Sequence, residues 1–292
     1  MKRIRALATG IAVLLAGAAA AQPAVPVDPG DHPESITMAP DGTLILGSMT
    51  APVVWRARPG AAKADIFIDM RPDKAAFLLG VLADAPSHTL WVCEILNMDH
   101  SSPLLRAKSV LRAFDLQSGK PKGRWPLPGD NNVCNDFTVA PDHTLYVSDT
   151  TDGRILRLRP GGAALETVLQ DPALYGVDGI TLLDGALYVN TVWSNDIFRI
   201  PLDASGKAGK PVQILLSRTM KSPDGMRAAH GRLFVAENAG NQVDMVTIHG
   251  DSGTVTTLRK GLEAPTTVEP AGDTLWIGDR GASKVYALPM PK

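Results

Sequence analysis

Four side chains with oxygen donors stand at comparable places in this chain: Glu34, Asn135, Asp178 and Asp224. Each opens a short apolar segment, reading ESITM, NDFTV, DGITLL and DGMRAA in turn. Carboxylates and an amide are the donors that hard cations prefer, and Ca²⁺ takes six to eight oxygens from such groups and from water. Four protein donors would leave positions for water and for a ligand oxygen. No histidine or cysteine shares the register, which points away from zinc and copper. Asp-Gly and Asn-Asp pairs also make ordinary turns. The grouping therefore has chemical meaning only if one repeated element carries all four residues to the same place.

Such an element recurs along the chain. The copies read PESITMAPDGTLILGSMT, LGVLADAPSHTLWVCEI, CNDFTVAPDHTLYVSDT, VDGITLLDGALYVNTV, PDGMRAAHGRLFVAEN and PTTVEPAGDTLWIGDR. Each has an anchoring leucine in its second segment: Leu44, Leu90, Leu145, Leu187, Leu233 and Leu275. A third apolar strand follows, as in VVWRARP, RILRLRP or KVYALPM, and a weaker fourth, as in IFIDM or TVTTLRK. Repeats spaced by roughly 40–50 residues, each a small antiparallel sheet, specify a β-propeller. No copy holds a helical period of useful length, which excludes a helical solenoid. Turn residues support the hairpins, since Gly42 in Pro40-Asp41-Gly42 accepts a positive φ. The expected fold is all-β: six four-stranded antiparallel blades around a central channel, forming one domain over 22–292, with Val25–Val27 closing the ring. Aligned on the leucines, the channel entrances are Glu34, Gly80, Asn135, Asp178, Asp224 and a sixth position near Pro265–Thr266.

Lys2, Arg3 and Arg5 precede an apolar stretch from Ala6 to Ala20, and Ala19-Ala20-Ala21 supplies a cleavage site. Residues 1–21 read as a signal peptide, and the expected compartment is the periplasm or the exterior. The stretch is Ala-rich and shorter than the about 20 apolar residues of a membrane span. The formal net charge is −1 and no basic run occurs, so neither nucleic acid nor a membrane surface is an expected partner. The two cysteines, Cys93 and Cys134, are consistent with one bridge in an oxidising compartment or with two buried thiols.

Taken together, the register resembles that of the SMP-30/gluconolactonase propellers and of the related diisopropyl-fluorophosphatase and paraoxonase propellers. The matching motifs are HPES, CNDFTVAPD and SPDGM. The resemblance covers about residues 30–290 through short motifs. It implies a catalytic calcium held by Glu34, Asn135, the fourth-blade residue and Asp224. The fourth-blade residue is Asp178 where that group usually has Asn. Three carboxylates favour tight cation binding and lower Lewis acidity, and Asp178 gains the option of acting as a base. Sugar lactonases of the group carry an Arg two residues before the third-blade Asn, where this chain has Val133. The resemblance also gives Asp136 a counterpart that binds a second, structural calcium in paraoxonase-like members, although its first-blade counterpart here is Ser35.

The rim should be built by loops between second and third strands. The longest runs from Asn97 through His100 to Pro103 and onward, and His100 is either an acid–base candidate or a solvated loop residue. Trp193 lines a pocket or covers a blade edge; Asn195, Asn238, Asn241 and Arg280 are further rim residues. Two functions follow. One is a calcium-dependent hydrolase of a lactone or small ester-like substrate, with Asp224 or Asp178 as base. The other is a non-catalytic propeller that binds a small ligand or protein, its ion structural or absent. A serine elbow is missing, and a quinone-dependent dehydrogenase has no supporting motif.

Overall fold

Segments such as LILGS, LYVSD and LYVNT alternate side chains between two faces, and both faces are apolar enough to be covered. They form the second strands of six small antiparallel sheets. The computed structural model describes residues 25–26, 32–73, 75–99 and 106–291. The signal-peptide reading of residues 1–21 lies outside them.

One edge strand of each sheet faces the channel: Pro33–Met38, Phe77–Asp84, Cys134–Val139, Val177–Leu183, Pro223–Ala229 and Pro265–Ala271. Each contacts the inner strands of the blades before and after it, and the sixth contacts the first, so the ring is complete. Its closure is by hydrogen bonding: Val25–Pro26 supplies the outer strand of the sixth blade, with Val25 opposite Val285 and Pro26 opposite Lys284. That is the closing role expected for Val25–Val27, of which Val27 lies outside the described residues.

The apolar surface is divided among six clusters, one at each blade–blade interface. All six anchoring leucines are buried there, and each such side chain contributes about 1.5–3 kcal/mol. Because every blade relies on both neighbours for its core, no blade is an independent folding unit.

Two details differ from the simple repeat. The fifth blade gains an extra strand, Leu215–Leu216, running parallel to Ser252–Lys260. In the second blade the expected loop from Asn97 is largely strand. Thr89–Asp99 and Arg106–Asp115 continue as a ladder in which Asn97 faces Lys108, Met98 faces Ala107 and Asp99 faces Arg106. Asn97 holds that extension with its side chain, whose Oδ1 accepts from the Lys108 N–H at 3.1 Å. His100 and the remainder of that turn lie outside the described residues.

Cys93 and Cys134 are bonded, with a Cα–Cα distance of 5.3 Å. The bridge runs from the second strand of the second blade to the inner strand of the third, and both cysteines are buried. Replacing both with alanine is expected to lower stability by about 2–4 kcal/mol. Denaturant unfolding measures that loss, and an unchanged far-UV spectrum would show that the ring survives it.

Candidate functional site

Every inner strand breaks register with its neighbour at the channel entrance. The irregularities fall between Pro33 and Ser35, Leu78 and Val81, Cys134 and Phe137, Val177 and Ile180, Pro223 and Met226, and Pro265 and Thr267. A bulge inserts an unpaired residue and re-aims its side chain. The residues so released are Glu34, Leu79-Gly80, Asn135-Asp136, Asp178-Gly179, Asp224-Gly225 and Thr266. Asp178-Gly179 and Asp224-Gly225 are thus bulges within strands and not turns. The sixth entrance, ill-defined in sequence, is Thr266, whose hydroxyl donates to the Pro33 carbonyl at 3.1 Å.

These side chains line one narrow cavity, which includes Glu34, Gly80, Asn135, Asp136, Asp178, Asp224 and Thr266. Glycine is required where adjacent strands almost touch. A Cβ at Gly80 would lie 2.2 Å from the Asn135 carbonyl oxygen, and one at Gly179 would lie 2.6 Å from the Met226 nitrogen.

Second strands fix the bulges from behind. The Ser148 hydroxyl accepts from the Asp136 N–H at 3.0 Å and donates to the Asp178 carbonyl. Asn190 repeats this one blade on: its Oδ1 accepts from the Gly179 N–H at 3.0 Å, and its amide donates to the Asp224 carbonyl. Ser148 and Asn190 were not anticipated from the sequence. Both lie three residues after the anchoring leucine, where other copies have Gly, Ala or Cys. A small or polar residue there, in an otherwise apolar strand, is the signal that could have found them.

Glu34, Asp178 and Asp224 are all buried. Burial pushes the Asp178 carboxyl well above the usual range, and the charges of Glu34 and Asp136 push it further. Asp224 is raised in the same way, by burial first and then by Asp178 and Glu34. Burial also raises Glu34, although Arg280 opposes the shift. Asn135 donates to Asp178 Oδ2 at 2.6 Å and to the Thr150 hydroxyl at 3.0 Å. Arg280 Nη1 donates to Glu34 Oε2 at 3.0 Å.

As they stand, no three acidic, histidine or cysteine side chains among the described residues are drawn together as an ion's cage. Glu34 is turned to Arg280, and Asp178 to Asn135. The chemistry of the set still fits a hard divalent cation: it is all oxygen, it is desolvated, and its negative charge exceeds what one arginine offsets.

Beside this cavity lies a buried ionic group, part of which also lines a second cavity. Arg227 is buried and bidentate to Asp136, with Nη1 to Oδ2 at 2.6 Å and Nη2 to Oδ1 at 3.0 Å. Glu269 flanks it, 3.5 Å from Nε, and accepts from the Thr37 hydroxyl and the Met38 N–H, each at 3.1 Å. A guanidinium thus occupies the place on Asp136 that a second ion would need.

The remaining rim residues have varied partners. Asn195 accepts from the Ser222 N–H at 2.6 Å and Asn238 donates to the Pro265 carbonyl at 3.4 Å, so both fasten neighbouring blades. Asn241 lies beside Asn238, and in its better-satisfied orientation its amide donates to the carbonyls of Asn238 and Glu263. Trp193 is 47% exposed and packs on Tyr175, itself 50% exposed, with ring centroids 4.5 Å apart. Trp193 of this pair packs over Gly176. Val133 is buried in the core between the second and third blades.

Solved structures share this architecture. A gluconolactonase from Xanthomonas campestris is 17% identical over 94% of this chain and 99% of its own, with a TM-score of 0.67. The PQQ-bound aldose sugar dehydrogenase of Streptomyces coelicolor is 16% identical over 89% and 94%, with a TM-score of 0.66. A catalytically inactive virginiamycin B lyase from Staphylococcus aureus is 15% identical over 92% and 99%, with a TM-score of 0.64. The fold is a six-bladed β-propeller. No protein-family model matches the chain, and no curated protein matches it in sequence. No helix among the described residues is long and apolar enough to cross a membrane.

The raised carboxyls make a signed prediction. The cation-free folded state holds protons that the unfolded chain gives up near pH 4, so these groups make stability fall as pH rises above that point. Each extra proton held contributes a slope of about 1.4 kcal/mol per pH unit. In chelator, Asp178→Asn should flatten the decline and stabilise the protein at neutral pH, as read by unfolding curves across pH. A steeper decline in the variant would contradict the assignment.

Proposed function

We propose that this chain is a calcium-dependent hydrolase of a lactone or small ester-like substrate, exported and acting at the mouth of its propeller channel. One observation carries the reading: Glu34, Asn135, Asp178 and Asp224, from four different blades, line one desolvated cavity. The solved structures that share the fold are named for a lactonase, a quinone-dependent dehydrogenase and a lyase, so fold does not choose the chemistry. The residues of the cavity favour the first of these.

Glu34, Asp178 and Asp224 would hold the ion through carboxylate oxygens, and Asn135 through its amide oxygen. Bound calcium supplies a Lewis acid for the substrate carbonyl and charge to offset the oxyanion. Asp178 and Asp224 provide the proton chemistry. Without a cation, burial and mutual repulsion raise both above the usual range; a bound ion would hold them ionised, as a general base must be. One of them removes a proton from water as its oxygen bonds to the carbonyl carbon. The ring C–O bond then breaks, and the departing oxygen takes that proton back. The product is a hydroxycarboxylic acid, which ionises in solvent. Asn135, held by Thr150, fixes the orientation of Asp178 during the transfer. The buried Val133 leaves no arginine to hold a sugar from that position, which favours a substrate other than an aldonolactone.

Elemental mass spectrometry of the purified protein should find one divalent ion per chain, absent from Glu34→Ala/Asp224→Ala. In a lactone and ester screen, chelator should abolish turnover, and Asp224→Asn should lower kcat by a factor of about 10²–10⁴ with the fold intact. If calcium binds but no ester or lactone turns over, and Asp224→Asn only alters the melting temperature, the propeller is a binding module.

A further inference from the structure

We propose that Arg280 forms an anion subsite beside the cavity and receives the carboxylate of a small ligand, the hydroxycarboxylate product above all. This rests on the reading of the cavity as a calcium site. Three carboxylates around a divalent ion leave one negative charge, which would repel an anionic ligand. Asp136 weighs less in that balance, because Arg227 is bidentate to it. Arg280 is the cation that stands on the carboxylate set, through its 3.0 Å bond to Glu34. Its charge offsets the excess of the three carboxylates over a divalent ion, which lets an anion approach.

The geometry supports a receiving role over a purely structural one. Among the described residues, the Arg280 side chain bonds through Nη1 only, to Glu34 and to the weak acceptor Met49 Sδ, each at 3.0 Å. Its Nε and Nη2 make no hydrogen bond among the described residues, and the side chain is 29% exposed. A buried fastener looks different: Arg154 uses Nε and Nη2 together on Asp149 and is only 9% exposed. The Arg280 backbone is also fixed. Its N–H donates to the Ala264 carbonyl at 3.0 Å, and its own carbonyl accepts from the Ser283 N–H at 3.2 Å and bonds His32 Nδ1 at 2.8 Å. A planar fork held at its base, with two donor groups free, is suited to a carboxylate. When a cation takes over Glu34, Nη1 is released as a third donor.

Calorimetry separates this proposal from the reading beneath it. Calcium is titrated first into chelator-treated wild type, Arg280→Gln and Arg280→Lys; glycolate and its neutral amide, glycolamide, are then titrated into the calcium-loaded proteins. Arg280→Gln should bind calcium at least as tightly as wild type, since a competing cation has left Glu34. Its glycolate affinity should fall by about tenfold or more, the effect of losing a charged hydrogen bond. Arg280→Lys should recover part of that loss, and glycolamide should not discriminate among the three. Equal glycolate affinity in wild type and Arg280→Gln, or calcium-loaded wild type that ignores glycolate, would overturn the subsite alone. A wild type that takes up no calcium would overturn both the subsite and the hydrolase reading.

Discussion

Three carboxylates share a desolvated cavity at the point where the blades converge, and their mutual repulsion is the constraint around which the ring is arranged. Like charges in a low-dielectric space drive one another toward protonation or apart. The backbones of Asp178 and Asp224 are pinned in their bulges, which keeps both carboxylates in the cavity that Glu34 also lines. Ser148 and Asn190 tie the third, fourth and fifth blades together at these bulges. The disulfide fixes the third inner strand immediately before Asn135. Under the proposed function, that crowded charge is what a bound cation would relieve.

Arginines set the boundaries of that charge. Arg227 partners Asp136 where it lines the cavity, and with Glu269 it also lines a second cavity. Arg280 does a partial version of the same thing on Glu34, while remaining reachable from solvent. The first is a closed structural pair, and the second is an exchangeable one. A buried pair is costly to break because an unpartnered charge would remain, and this explains why Asp136 and Asp178, two residues of one neighbourhood, have different chemical prospects.

Much of this was legible in the sequence because a propeller repeats. The anchoring leucines set a common register, and that register alone brought Glu34, Asn135, Asp178 and Asp224 to one entrance. The closing strand at Val25–Val27 was a separate expectation, met by Val25 and Pro26. What the register could not show was how the entrance residues turn into the channel, since a bulge leaves no compositional mark beyond the Asp-Gly and Asn-Asp pairs that turns also use. The roles of Asn195 and Asn238 as fasteners between blades depend on single backbone partners far away in sequence. Arg280 was visible only as a rim residue, because its partner Glu34 belongs to the blade that the ring closure brings beside it.

The most direct test is a crystal structure of the protein loaded with a calcium surrogate that scatters anomalously, such as Mn²⁺ or Tb³⁺. The account predicts one peak in the channel-mouth cavity, with oxygens of Glu34, Asn135, Asp178 and Asp224 around it and Arg280 turned away from Glu34. A cavity without a peak at saturating ion, with Arg280 still paired to Glu34, would contradict it.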